Sequence, residues 1–251
     1  MITLEGKRLL VTGASKGIGA ATARVCLEAG ANVALHWHSE EAEAATLAQE
    51  YGERTCLLRA DLGDKEAVRR LWAEALGWAG RLDGLVNNAA VMPYSSPDDP
   101  AEDWDRDWEA AWAVNVRAVA DLCREAVLHM RPAGGGTIVN IASRAGFRGD
   151  LPDAMHYAAS KGAVVALTRS LAKGYARDGV IVYAVSPGWV RTERVAPRID
   201  APENAPMLDE IPMGEAAPPR EVGNIVAFLL SGLARHATGA TVDINGASYF
   251  H

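Results

Sequence analysis

The sequence predicts an α/β fold, a doubly wound parallel sheet of seven strands with helices on both faces. Three observations point there. Short β-prone apolar runs alternate along the chain with longer segments of helical periodicity, as in repeated strand–helix–strand units. A glycine-rich turn, Thr12-Gly13-Ala14-Ser15-Lys16-Gly17-Ile18-Gly19, follows the first apolar run and opens the first helical one. No internal repeat, low-complexity tract or Gly/Ser-rich linker divides the 251 residues, so one domain, 1–251, is expected.

The elements follow in order. Arg8 to Thr12 reads as the first strand and Ile18 to Glu28 as its helix; Val33 to Trp37 and Glu40 to Tyr51 form the second pair. Thr55 to Ala60 is followed by Lys65 to Trp78, and Leu82 to Asn87 by one long helix over Asp103 to His129. Thr137 to Ala142 precedes Met155 to Arg177, Val180 to Ser186 precedes Arg220 to Leu233, and Ala240 to Asn245 is the last strand. Such helices are the crossovers that parallel strands require. Glu193 to Pro219 holds Pro197, Pro202, Pro206, Pro212, Pro218 and Pro219, a density that forbids a continuous helix or central strand. The segment follows the sixth strand at the carboxyl edge of the sheet, where open α/β folds bind ligands, and it is expected to be a substrate lid.

Composition narrows the function. A hydrophobic fraction of 49% and a charged fraction of 23% are those of a globular protein. A net charge of −7 without a basic block argues against nucleic acid and against an anionic membrane surface. Cys26, Cys56 and Cys123 are odd in number and widely spaced, so neither a disulfide framework nor a zinc site is expected. No leader pattern or membrane-length apolar run appears, and a cytoplasmic protein acting on a small molecule is expected.

Two motifs carry chemistry. The turn with Gly13, Ser15, Lys16, Gly17, Ile18 and Gly19 places free N–H groups and the positive end of a helix dipole where a pyrophosphate would lie. Tyr157 and Lys161 stand four residues apart, with Ser143 upstream. On a helix that spacing puts phenol and ammonium on one face, and the positive charge is expected to lower the tyrosine pKa from about 10. A phenol so tuned exchanges a proton with a carbonyl oxygen while hydride reaches the carbon, and Ser143 could donate to the same oxygen. Tyr-x-x-x-Lys alone is also a common surface pair; the surrounding motifs give it weight.

Taken together, these residues resemble the short-chain dehydrogenase/reductase family, in a single-domain branch resembling 3-oxoacyl-acyl-carrier-protein reductases. The resemblance spans nearly the whole chain: the Thr12 to Gly19 turn, Asp61-Leu62, Asn87-Asn88-Ala89-Ala90, Asn115, Ser143, Tyr157-x-x-x-Lys161 and Pro187-Gly188-Trp189-Val190-Arg191-Thr192. It implies a Rossmann-like fold with Tyr157 as general acid/base. It also implies Lys161 on the nicotinamide ribose, Ser143 orienting the substrate oxygen and Asn115 in a water-linked proton relay. Asp61 and Leu62 would lie near the adenine and Asn88 and Ala89 beside the nucleotide, with Pro187, Gly188, Val190 and Thr192 against the carboxamide. It further implies a homo-oligomer, a tetramer or a dimer, built on the helices carrying Asn115 and Tyr157. Trp104, Trp108 and Trp112 recur every four residues on the first of these and serve either core or subunit contact.

The second strand ends in His36-Trp37-His38-Ser39, with no carboxylate for a ribose 2′-OH. NADP(H) is therefore expected over NAD(H), with Lys16 and His38 facing the 2′-phosphate. His36 and His38 are too few ligands for a metal site, and none is expected. Ala90 replaces the family's usual glycine, a change expected to be accommodated without loss of cofactor binding, and Tyr183 stands where many relatives resembling ketoacyl reductases have asparagine. The expected reaction is NADP(H)-dependent carbonyl reduction or its reverse. A 3-oxoacyl thioester is the first substrate guess, and a sugar, polyol, steroid or small ketone is the alternative. Arg144, Arg148, Asp150 and Asp153 near the site would suit a hydroxylated or charged substrate. A non-catalytic NADP(H) sensor is the reading from another class; an epimerase or dehydratase would be expected to have a larger substrate domain.

Overall fold

The computed structural model describes residues 2–201 and 205–251. Pro202 of the expected lid lies outside them. Seven strands, β1 (Arg8–Val11), β2 (Asn32–Trp37), β3 (Thr55–Arg59), β4 (Gly84–Asn87), β5 (Gly136–Ile141), β6 (Val180–Pro187) and β7 (Thr241–Ile244), form one parallel sheet in the order β3-β2-β1-β4-β5-β6-β7. The order reverses between β1 and β4, opening a crevice at their carboxyl ends.

Strand side chains alternate between two cores. Leu9, Val11, Val33, Leu35, Val86 and Val139 face one, with α1 (Gly17–Glu28), α2 (Ala42–Tyr51) and α10 (Pro219–Leu230). Leu10, Leu85, Ile138 and Val182 face the other, with α3 (Lys65–Ala79), α5 (Val119–Met130) and α7 (Met155–Tyr175). Burial on both faces is why these strands read as nearly continuous apolar runs. Tyr183 resolves as packing: its ring lies in the first core and its hydroxyl donates to the Ala234 carbonyl at 2.7 Å.

The long helix expected over Asp103 to His129 is not one regular helix. α4 (Ala101–Trp112) passes through a π-helical turn, Ala113–Ala118, into α5. Such turns insert an extra residue into the helical ladder and often sit at functional sites; this one carries Asn115. The short α6 (Ala145–Arg148) follows β5. In the Pro-rich segment, α8 (Ala196–Asp200) and α9 (Ala205–Asp209) are five residues each, in keeping with the prolines that bar anything longer.

Candidate active site

A cavity of about 840 Å³ runs along the carboxyl ends of the strands, from the glycine turn and His38 past Ser143, Tyr157 and Lys161 to Trp189. At its first end the chain turns on glycine. Gly13 has φ +67°, and a Cβ on Gly19 would lie 2.0 Å from the Gly13 carbonyl oxygen; only glycine lets α1 start this close to β1. The Gly17 N–H at the head of α1 donates to Glu193 Oε2 at 3.1 Å, so an anion already lies where the helix favours one.

The turn is stitched by buried polar groups. The Gly13 N–H donates to His36 Nδ1 at 3.0 Å, and Nε2 lies 3.1 Å from the Ala60 carbonyl, which makes Nε2 the protonated nitrogen. Burial pushes the His36 pKa down to about 4, consistent with a neutral ring accepting at Nδ1. Asn88 donates from Nδ2 to the carbonyls of Thr12 and Gly13 at 2.9 and 3.2 Å. The Thr12 hydroxyl accepts from the N–H groups of Asn88 and Ala89. Sequence reasoning placed Asn88 and Ala89 beside a nucleotide; both line the cavity, but their polar bonds hold the turn. It assigned His36 no role in the turn, which is fixed by tertiary contact with Gly13.

At the outer rim, Lys16 and His38 are exposed, and each has an acidic neighbour: Lys16 Nζ lies 3.5 Å from Glu40 and His38 Nε2 lies 4.0 Å from Asp61. The Asp61 Oδ1 atom accepts from the Gly63 N–H at 2.8 Å. Ser15, Ile18 and Leu62 also line this end. Pro187, Gly188, Val190 and Thr192 line the far wall, where β6 leaves the sheet; the Gly188 N–H donates to the Ile244 carbonyl at 2.9 Å.

In the middle, β5 delivers Ser143 and α7 delivers Tyr157 and Lys161. Ser143 and Tyr157 line the cavity together, and the Ser143 hydroxyl accepts from the Ala145 N–H at 3.1 Å. Lys161 Nζ donates to the Ile141 carbonyl at 2.7 Å and lies 5.6 Å from the Tyr157 ring centroid. The expected lowering of the Tyr157 pKa by Lys161 is corrected here. Burial raises the phenol, opposed by the Ser143 hydrogen bond and the Arg194 charge, while Lys161 points to a backbone carbonyl. Burial, then Arg194, brings Lys161 down to about 8, so it is mostly protonated at neutral pH.

The amide of Asn115 clamps the chain after β4: Oδ1 accepts from the Val91 N–H at 2.9 Å, and Nδ2 donates to the Val91 carbonyl at 2.8 Å and to Ser160 Oγ at 3.1 Å. Its direct bonds thus hold two walls of the site together, one position before Lys161. The tryptophan stripe divides. Trp104 and Trp108 pack on each other at 5.2 Å and Trp108 on His156 at 5.9 Å, whereas Trp112 is exposed.

A nicotinamide dinucleotide fits what is present: a glycine cradle that a Cβ would fill, amide donors at a helix head and a long cleft at the switch point of the sheet. The model of the family described as enoyl-(acyl carrier protein) reductase matches residues 13–247. The chain belongs to the short-chain dehydrogenase/reductase family and is an oxidoreductase, and membership implies NAD(P) as cofactor.

Its similarities span several substrates. It is 37% identical to cis-4-hydroxycyclohexanecarboxylate dehydrogenase of Sinomonas cyclohexanicum, over 94% of each chain. It is 31% identical to the 3-oxoacyl-acyl-carrier-protein reductase FabG of Staphylococcus aureus, over 97% of this chain and 98% of the other. The crystal structure of a "putative gluconate dehydrogenase" from Agrobacterium tumefaciens superposes with a TM-score of 0.90 at 27% identity, over 98% of this chain and 97% of that one. Among the described residues, no helix is long and apolar enough to cross a membrane.

Proposed function

We propose that this chain is an NADP(H)-dependent oxidoreductase that interconverts a carbonyl and a secondary alcohol, with Tyr157 as general acid/base. The observation that carries the reading is that Ser143, Tyr157 and Lys161 line the same cavity as the glycine cradle. The bound nicotinamide supplies or accepts the hydride. Tyr157, raised by burial, is protonated near neutral pH and gives its proton to the oxygen of a carbonyl undergoing reduction. Ser143 orients that oxygen and stabilises the phenolate left behind. Lys161 contributes positive charge beside the ring and would hold a ribose hydroxyl. Asn115 keeps the Val91 segment and α7 in register and joins a water-linked relay. Lys16 and His38 would favour the 2′-phosphate of NADP(H).

For the substrate, a 3-oxoacyl thioester is the first guess from sequence. The alternative is a sugar, polyol, steroid or small ketone, and a hydroxylated or charged molecule is supported by the lining of the substrate end, where Arg144, Arg148, Arg194 and Arg198 stand with Asp150, Asp153 and Glu210. Two of the relatives are named for hydroxylated carboxylic acids. The chain acts as one domain with residues 193–219 as its lid, in the cytoplasm. It assembles as a homo-oligomer through α4, α5 and α7, whose exposed Trp112 and Leu128 suit a subunit contact.

The test follows NADPH and NADH absorbance across ketones, sugars, hydroxy acids and 3-oxoacyl thioesters. Tyr157→Phe is expected to cut turnover by roughly 10²–10⁴-fold while leaving NADPH binding intact. Equal activity in the variant would overturn the acid/base role, and binding without turnover on every class would move the reading to a cofactor sensor.

A further inference from the structure

The substrate end of the cavity holds a charge without an equal partner. Arg144 follows Ser143 directly, and its side chain is only 7% exposed. It lines the cavity. One terminal nitrogen donates to the Ser248 hydroxyl at 2.5 Å, a neutral acceptor. The other is 3.8 Å from Glu210 Oε2, beyond hydrogen-bond reach. That carboxylate is also taken by Arg148, from both terminal nitrogens at 3.3 Å. Trp189 lies 5.8 Å from the Arg144 guanidinium carbon. Two guanidinium groups therefore share the Glu210 carboxylate, and the better-buried one has the weaker claim on it; Asp150, also in the lining, adds only a charge at longer range. Burial lowers the Arg144 pKa and the Arg148 charge adds to the effect, yet a guanidinium stays ionised in proteins. A buried cation beside the reacting groups, whose exposed counter-ion stands 3.8 Å away and is shared with Arg148, is matched best by an anion brought by the ligand.

We infer that Arg144, assisted by Arg148, anchors a carboxylate on the substrate, so that the enzyme acts on hydroxy or oxo carboxylic acids and Glu210 holds the anchor in the substrate's absence. The planar guanidinium matches a carboxylate in a two-bond fork, which fixes orientation as well as position. With the carboxylate held beside Ser143, the oxidisable carbon is presented to Ser143 and Tyr157. Glu210, at the end of α9, is exposed and competes for the same cations; substrate binding would release it and change how the lid segment is held. This inference rests on the oxidoreductase reading of the site.

The experiment separates the two by measuring binding and turnover independently. Probes are cis-4-hydroxycyclohexanecarboxylate and gluconate, each paired with its uncharged carboxamide. They are titrated calorimetrically into enzyme saturated with NADPH and assayed for NADP⁺ reduction. At least one acid is expected to bind and turn over at least tenfold better than its amide. Arg144→Met should erase that preference, lowering binding and turnover of the acid far more than of the amide, Arg144→Lys should restore part of it, and Arg148→Met should weaken it. Glu210→Gln is expected to tighten acid binding several-fold, because a competing carboxylate is gone. Arg144-independent discrimination, equal loss on acid and amide, or no preference with either probe overturns the anchor. Acid binding that depends on Arg144 without any Tyr157-dependent turnover leaves the anchor standing and overturns the proposed acid/base role of Tyr157. Thermal melting of each variant distinguishes a lost anchor from a lost fold; if Arg144→Met does not fold, the Arg148→Met and Glu210→Gln shifts in opposite directions decide.

Discussion

The two ends of the cavity are built from different materials. At the glycine turn the backbone of the cradle is held by neutral, part-buried hydrogen bonds among Gly13, His36, Asn88 and Thr12. At the substrate end the lining includes charged side chains from distant segments, Arg144 after β5 and Glu210 after α9, and Arg144 is held in turn by the neutral Ser248 hydroxyl. A backbone cradle recognises a phosphate chain by shape and barely tolerates change, whereas a side-chain end can be re-specified one residue at a time. The contrast predicts steep penalties at the first end and selective ones at the second.

The largest effect is expected from Gly19→Ala. Its Cβ would lie 2.0 Å from the Gly13 oxygen and 2.4 Å from Asn88 Nδ2, contacts that neither the turn nor α1 can relieve without moving. Loss of NADPH affinity by about a hundredfold or more is expected from overpacking of ~3 kcal/mol, read by fluorescence titration, together with a lower melting temperature. Met213→Ala, at an exposed lid position, is the control and should change affinity less than about twofold. Comparable losses in both would break the contrast.

Next comes the His36 pin. His36→Leu removes the acceptor of the Gly13 N–H and the donor to Ala60, and should cost about 1–3 kcal/mol of stability at pH 7. The wild-type protein should also carry an acid limb from this residue. Folded His36 protonates only near pH 4, while the unfolded chain takes up its proton near the ordinary value of 6.5. The contribution is therefore complete above pH 6.5 and is lost as the pH falls toward 4, amounting to roughly 3 kcal/mol. Urea unfolding at pH 7, 6 and 5 should show that slope in the wild type and a shallower one in His36→Leu; identical slopes would remove His36 from its role.

What was legible in the sequence divides along the same line. The seven strands and their parallel direction were readable because strands buried on both faces become apolar runs punctuated by helices. Gly13, Gly17 and Gly19 announced the cradle because backbone geometry there demands glycine. The π turn at Asn115 was not legible: Ala113-Val114-Asn115-Val116 has ordinary helical composition, and the bulge answers to the Val91 and Ser160 contacts. His36 looked like one half of an incomplete metal pair, and its pairing with Gly13 crosses 23 residues. Tyr157 and Lys161 stood out through their spacing together with the surrounding motifs, but the electrostatics expected of the pair did not follow, because a helical i,i+4 pair says nothing of the Ile141 carbonyl that takes the ammonium. The sharing of Glu210 by Arg144 and Arg148 bridges 62 residues between Arg148 and Glu210, beyond the reach of any local pattern.

The smallest effect is expected at the rim, where the cofactor end behaves like the substrate end because its recognition is again by exposed charge. Lys16 and Glu40 are 53% and 67% exposed, so solvent and salt weaken whatever either contributes. Lys16→Ala should lower kcat/KM for NADPH by several-fold and leave NADH nearly unchanged, since only the 2′-phosphate has a charge for the ammonium to meet. Glu40→Gln should move the ratio the other way by about twofold, by removing the acid that competes for Lys16 and repels the phosphate. Raising the ionic strength from 50 to 500 mM should shrink both differences, as screening over about 10 Å or less requires. A Lys16→Ala variant that loses NADH and NADPH equally would place this lysine with the cradle, holding the turn, and not with the charges that select between the two cofactors.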